Sequence, residues 1–266
     1  MKNRILSLVS SDYPWNAQFH WLEETDSTND QLKQLARQGA PHGTVLIADR
    51  QTGGHGRMGR SFLSPGGVGI YFSMLLRPQC GPLELMHLTC ATAVAMCDAV
   101  EKAAGFRPGI KWTYDLVLQK KKLGGILTEL GLSANGAVDY VIIGIGINCC
   151  QNREDFDPEI RSIAGSLAMV TGQETDRAKV AAAMMDSLFR MDQILLTGKA
   201  EILDRYRKDC ITIGQEISLL RVGEEVRHGR AVDMDDEGAL IVEFFDGHRE
   251  TVNSGEVSVR GMYGYL

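Results

Sequence analysis

The 266-residue sequence has no CxxC pair, no HExxH or other metal-ligand spacing, and no uncharged apolar run long enough to span a membrane. The six cysteines (Cys80, Cys90, Cys97, Cys149, Cys150, Cys210) read as reduced thiols of a cytosolic protein, and the adjacent Cys149 and Cys150 form no structural bridge. Six scattered histidines argue against a structural zinc. Excess positive charge is also missing. A formal charge of −6 argues against a dedicated nucleic-acid binder, which needs a concentrated basic face, but leaves room for a local basic site. The opening MKNRILSLVSSDYPWN has too short an apolar run for a signal peptide, so the expected location is the cytoplasm. What remains is 44% hydrophobic and 23% charged, enough for one large domain, or a domain with a small appendage, around a substantial core.

Along the chain, residues 19–22 read as a short strand. Asp26-Ser27-Thr28-Asn29 is a cluster of good helix N-caps, followed by Leu32, Leu35 and Ala36 at helical spacing and a stop at Gly39. Residues 44–48 and 70–76 predict strands around a glycine-rich loop over 51–69. The spacing predicts a core helix over 83–104, then strands over 109–118, 123–130 and 138–148 with a polar turn at 119–122, then helix from 177 to 210. Hairpin-like strands ahead of another strand point to an α+β fold, an antiparallel or mixed sheet flanked by helices. From about Gly214 the pattern changes to short strands over 216–221, 226–234, 239–245 and 250–253, broken at Val222-Gly223, Asp236-Glu237-Gly238 and Asp246-Gly247. That spacing predicts a small β-barrel, so the expected division is a domain over 1–212 and a barrel over 213–266.

Three segments carry candidate chemistry. In Gln51-Thr52-Gly53-Gly54-His55-Gly56-Arg57-Met58-Gly59-Arg60 the glycines let the backbone bend around a ligand while His55, Arg57 and Arg60 place positive charge there. This pattern suits an anion-binding loop; the alternative is a solvated loop with incidental charge. Gly54, Gly56 and Gly59 formally match GxGxxG, but Ser64-Pro65-Gly66-Gly67 cannot begin the helix a dinucleotide site requires. Lys111-Trp112-Thr113-Tyr114-Asp115 precedes Lys122-Leu123-Gly124-Gly125-Ile126-Leu127, a placement suited to orienting a carboxylate and a metal-bound phosphate. Lys120 and Lys121 fit a solvated turn. In Gly144-Ile145-Gly146-Ile147-Asn148 the strand glycines allow close approach of a ligand or another backbone, or tight packing within a sheet.

In this order and spacing, the segments from Asp26 to Asn148 resemble a biotin–protein ligase, and the likeness extends from about Phe19 through the C-terminal strands. The resemblance implies a class II synthetase-like catalytic domain with an SH3-like barrel, and the form without an N-terminal DNA-binding domain. It implies an ATP-dependent enzyme that activates biotin to biotinyl-5′-AMP and transfers it to a lysine of a biotin carboxyl carrier domain, with ATP and Mg²⁺ as cofactors. No DNA or membrane partner and a monomer or homodimer are expected. Ser27, Thr28, Asn29 and Gln51 would hold biotin, with His55, Gly56, Arg57, Lys122 and Gly125 beside them. Arg57, Arg60, Lys111, Trp112 and Asn148 would face ATP. Arg57, Lys122 and Asp115 would be catalytic, with Asp115 and Asn148 near Mg²⁺. The alternatives are a lipoate–protein ligase-like transferase and a module that binds biotin without transferring it.

Two positions depart from the family's usual pattern. His55 stands where arginine is frequent, and Tyr114 stands where KWPND or KWTND has asparagine. Histidine loses its charge near neutral pH and arginine does not. A His55→Arg variant is therefore expected to form adenylate with a flatter pH profile above neutrality, and a profile matching wild type would remove this reading.

Overall fold

The computed structural model describes residues 1–221, 224–253 and 258–261, with the side chains of Met58, Ser258 and Arg260 excepted. In chain order the elements are α1 (Lys2–Leu6), β1 (Phe19–Thr25), α2 (Thr28–Arg37), β2 (Thr44–Gln51), β3 (Gly69–Leu76), α3 (Leu88–Ala104), β4 (Gly109–Lys111), β5 (Asp115–Leu118), β6 (Lys121–Leu132) and β7 (Val138–Asn148). These are followed by α4 (Leu167–Thr171), α5 (Arg177–Ile194), α6 (Lys199–Asp209), β8 (Glu216–Leu220), β9 (Arg227–Met234), β10 (Leu240–Phe244), β11 (Arg249–Val252) and β12 (Ser258–Gly261). Strands β1 to β7 form one sheet in the order β1-β2-β3-β7-β6-β5-β4. Only β1 and β2 pair in parallel, so the sheet is mixed, as the hairpin pattern predicts.

Four expectations need correction. Residues 109–118 are two strands, because the chain reverses at Trp112–Tyr114 and pairs Lys111 opposite Asp115. The 83–104 helix starts at Leu88, after a separate 3₁₀ turn over Pro82–Leu85. The helical stretch from 177 breaks before Gly198 into α5 and α6. The C-terminal strands make an open antiparallel sheet in the order β11-β10-β9-β8-β12; among the described residues it does not close into a barrel. The Val222-Gly223 break lies outside the described residues.

Residues of β2, β3 and β7 alternate between two buried faces, as extended chain must. Val45, Ile47, Met74, Leu76, Val141, Ile143 and Ile145 join α3 and α5 in the larger core. Leu46, Leu75 and Ile142 meet Leu32 and Ala36 of α2 on the other face. Helix α2 is held at its start by Ser27, whose Oγ accepts from the Asp30 amide, while the Asp26 carboxylate accepts from the Ser27 amide. Ten residues long, α2 covers only part of its face. Beyond its N-terminus the face continues along Tyr71 and Ser73, Gly144 and Gly146, and Gly125, Leu127 and Glu129, which the register places side by side. Glycine is required at two of these places. A Cβ on Gly144 would lie 2.2 Å from Asn29 Oδ1, and one on Gly146 would lie 2.4 Å from the Phe62 ring.

The N-terminal segment docks on α5. Tyr13, Trp15 and Phe189 form an edge-to-face cluster with centroids 5.2–5.9 Å apart. Buried Asp186 accepts from the Ser10 amide at 3.0 Å, Ser10 Oγ at 2.7 Å and Lys102 Nζ at 2.8 Å. Burial raises the Asp186 pKa, but these hydrogen bonds outweigh it and the net shift is downward. A carboxyl depressed on folding stabilises fully above its unfolded pKa, near 3.9, and the effect is lost as pH falls through the folded value. Asp186→Ala is expected to lower unfolding free energy by about 1–3 kcal/mol at neutral pH. In urea denaturation the gap to wild type should narrow as the pH is lowered through the acid range.

Candidate active site

The face left uncovered by α2 forms the floor of a cavity of about 550 Å³. All fourteen residues singled out from the sequence line it: Ser27, Thr28, Asn29 and Gln51; His55, Gly56, Arg57 and Arg60; Lys111, Trp112 and Asp115; and Lys122, Gly125 and Asn148. They come from the start of α2, the end of β2, the glycine-rich loop, the β4–β5 turn, and the facing ends of β6 and β7.

One end is rich in hydrogen-bond acceptors. Gln51 Oε1 accepts from the Thr28 amide at 2.8 Å and lies 3.0 Å from Thr28 Oγ1, while its Nε2 donates to Ser64 Oγ at 2.9 Å. Buried Ser73 lies 2.8 Å from Thr28 Oγ1 and 2.6 Å from Asn29 Oδ1. The two hydroxyl protons of Thr28 and Ser73 cannot serve all three contacts, since the Gln51 and Asn29 oxygens only accept. Lone pairs therefore exceed protons here, which suits a ligand that donates N–H. Asn29 Nδ2 donates to Glu129 Oε2 at 2.8 Å, and Lys33 completes the chain on Glu129 Oε1 at 2.9 Å. Both polar ends of Asn29 are thus held by protein, and its part is to fix Ser73, which in turn reaches Thr28.

The other end is cationic. Lys111, Lys122, Arg57 and Arg60 line it, against one acidic side chain, Asp115. Lys122 Nζ and Asp115 Oδ1 pair at 2.6 Å, with side chains 31% and 14% exposed. Partial desolvation strengthens such a pair without making it inaccessible. A Cβ on Gly125 would stand 3.5 Å from Asp115 Oδ1 and 3.7 Å from Lys122 Nζ, so the glycine leaves space beside the ion pair. Lys122 is held from outside the sheet as well: its amide donates to Ile163 O at 2.7 Å and its carbonyl accepts from the Gly165 amide at 3.0 Å. Asn148 Nδ2 donates to Gly165 O and its Oδ1 accepts from Gln151 Nε2, both at 3.1 Å, which leaves that oxygen one lone pair for a ligand.

The glycine-rich segment is an ordered flap. The Gly56 amide donates to Arg60 O at 2.7 Å and the Phe62 amide to Gly54 O at 2.9 Å, with a short 3₁₀ turn at Arg57–Gly59. Phe62 seats on Gly146 and meets the edge of Tyr71 at 6.3 Å. Burial pushes the Tyr71 phenol pKa up, so it stays protonated and donates to Pro65 O at 2.8 Å, tying down the end of the flap. At the tip, the Arg57 guanidinium stands 4.8 Å from the centre of the Tyr114 ring. His55 Nδ1 lies 3.2 Å from Gly53 O and 3.9 Å from Asp30 Oδ2.

The β4–β5 turn that carries Trp112, Thr113 and Tyr114 is fixed from three directions. The Trp112 amide donates to Thr212 Oγ1 at 2.9 Å, its indole N–H to Gly238 O at 3.0 Å, and Tyr206 Oη to Thr113 O at 3.1 Å. Sequence reasoning missed Ser73, Ser64, Gln151, and the wall formed by Phe156, Ile160, Ile163 and Ala164. Ser73 had a signal: it is a hydroxyl in the middle of the otherwise apolar, fully buried strand β3. The wall had none, since its residues follow no strand or helix period.

Comparison with known proteins places this geometry. Residues 21–148 match the Biotin/lipoate A/B protein ligase family, and residues 212–260 match the Biotin protein ligase C terminal domain. The bifunctional ligase/repressor BirA of Bacillus spizizenii is 38% identical over 83% of this chain and 68% of its own length. The biotin–[acetyl-CoA-carboxylase] ligase of Mycobacterium tuberculosis is 30% identical over 94% of this chain and 91% of its own. The biotin protein ligase from Aquifex aeolicus, solved with biotin and ATP, superimposes with a TM-score of 0.76 at 32% identity, covering 91% of this chain and 98% of that one. With sequence likeness along most of its length and a shared fold, the chain belongs to the biotin protein ligase family.

Proposed function

We propose that the protein activates biotin with ATP to biotinyl-5′-AMP and transfers the biotinyl group to a lysine of a carboxylase's biotin carboxyl carrier domain. The observation that carries this reading is the polarity of this cavity: a proton-poor acceptor cluster at Thr28 and Gln51, backed by buried Ser73, and four lining cations, Lys111, Lys122, Arg57 and Arg60, against one carboxylate, Asp115. The ureido ring of biotin donates two N–H groups and suits the first end; its carboxylate and the nucleotide phosphates suit the second. Membership of the family supports the same reading.

In the first step a biotin carboxylate oxygen attacks the α-phosphorus, an O–P bond forms, and pyrophosphate leaves. Two anions must meet, so Lys122 and Arg57 offset their repulsion and stabilise the charge that develops on phosphorus and leaving group. Asp115 holds Lys122 in place. In the second step the neutral amine of the carrier lysine, which Asp115 would help position, attacks the acyl carbon, the acyl C–O bond breaks, AMP leaves, and the released proton passes to solvent. No covalent enzyme intermediate is needed. The Gly53–Arg60 flap over the cavity excludes water from the mixed anhydride.

The donor set also fits a divalent cation that arrives with ATP. Among the described residues no group of three or more histidine, cysteine or acidic side chains forms a metal cage. The triphosphate would supply most of the oxygens, with Asp115 and the remaining Asn148 Oδ1 lone pair beside them, as magnesium–nucleotide sites commonly do. Bound there, the ion would neutralise phosphate charge.

The decisive measurement is biotin transfer to a purified carrier domain with and without MgATP, with lipoate as a parallel substrate. ATP-dependent biotinylation is expected, reduced about 10²-fold or more in Lys122→Ala and in Arg57→Ala. Preferred transfer of lipoate would favour the related transferase. Biotin binding without pyrophosphate release would leave a binding module.

A further inference from the structure

The position where this chain departs from its family's usual asparagine makes a specific contact. The Tyr114 ring lies under the Arg57 guanidinium at 4.8 Å, within the range of a cation–π interaction. An asparagine side chain has no π face and cannot make it. The two partners differ in how firmly they are held. Tyr114 packs against the main core and sits on the turn anchored through Trp112 to Thr212 and Gly238 and through Thr113 to Tyr206. Arg57 sits at the tip of a flap whose base is fixed by Phe62 on Gly146, while its tip is a 3₁₀ turn of three residues that follows Gly56 and ends at Gly59. A short tip containing glycine loses much conformational entropy on ordering, so a tip contact with a rigid platform shifts the flap's equilibrium more than one at the base.

We infer that Tyr114 is a positioning residue that latches the glycine-rich flap closed by holding Arg57 over the cavity, and so sets how long the activated acyl adenylate is retained. This rests on the ligase reading for the identity of what is retained, whereas the latch itself rests on the contact alone. The ring offers Arg57 a face and does not itself take up any of its N–H donors. A carboxylate in place of Tyr114 would hold the guanidinium but take up those donors. Retention therefore comes here without quenching the charge that the phosphate needs.

Two readouts test it on the full chain. In the ligand-free protein, limited trypsin cleavage after Arg57 and Arg60 is expected to run about three- to tenfold faster in Tyr114→Leu and Tyr114→Asn, while Tyr114→Phe and Tyr114→Trp, which keep the π face, cleave at the wild-type rate. In protein preloaded with biotin and MgATP, release of biotinyl-5′-AMP should accelerate by a similar factor in the first two variants and not in the second two. The Phe and Trp variants also report folding, since general loss of packing would not spare them. Equal cleavage in all variants, or a Phe variant as labile as the Leu variant, overturns the latch; faster cleavage with unchanged adenylate release overturns its role in retention. A wild-type chain that releases no pyrophosphate overturns the ligase reading and the retention role with it, and the cleavage rates then decide the latch alone.

Discussion

The site depends on side chains that are absent from one face of one strand. Where β7 passes beyond α2, Gly144 and Gly146 leave a trench a single side chain deep in a sheet hydrogen-bonded on both flanks. Asn29 enters it from the start of α2 and Phe62 from the flap, each at a distance that no Cβ would allow. Neighbouring strands keep the trench from closing. The two insertions then dictate where Thr28, Gln51 and the glycine-rich segment stand, and so where a ligand can lie.

From this trench the chemistry divides by charge. Toward α2 the hydroxyls and amide oxygens have fewer protons than contacts, and a buried polar cluster of that kind is completed by a donor. Toward β4 and β5 the cations outnumber the one carboxylate, which is itself paired with Lys122. A ligand with N–H groups at one end and negative charge at the other is matched along its length, and the reverse orientation would set anions against lone pairs. Orientation follows from electrostatics before any shape fit is considered.

The second sheet bears on the site through a few bonds. Residues 210–212 run beside β4, with Ile211 N–H on Ile110 O, and the Asp235–Ala239 turn brings Gly238 O to the Trp112 indole. Arg207 of α6 adds a bond to Met234 O at 3.0 Å. These contacts brace the turn that carries Tyr114. The C-terminal sheet thus stiffens the platform beneath the flap, and Val259 of β12 also lines the cavity directly.

Much of this was legible in the residues. Alternating apolar strands, the Ser27 cap and the glycine and cation runs are local signals, because pleat, helix start and turn chemistry act over a few residues. The reversal at Trp112–Tyr114 was not legible, since Lys111 to Leu118 reads as one β-compatible run and only pairing of Lys111 with Asp115 bends it. Nor was the open order of the C-terminal strands among the described residues, which depends on which edges meet. The sequence alone determined which side chains the site has to work with and, through order and spacing, which family it resembles. Tertiary structure alone decided that Ser73 joins Thr28 to Asn29 and Glu129 holds Asn29, that the two β7 glycines receive protein side chains, and that Tyr114 stands under Arg57. The reason is physical: each is a contact between residues 44 to 115 positions apart, and no local propensity carries information across such a separation.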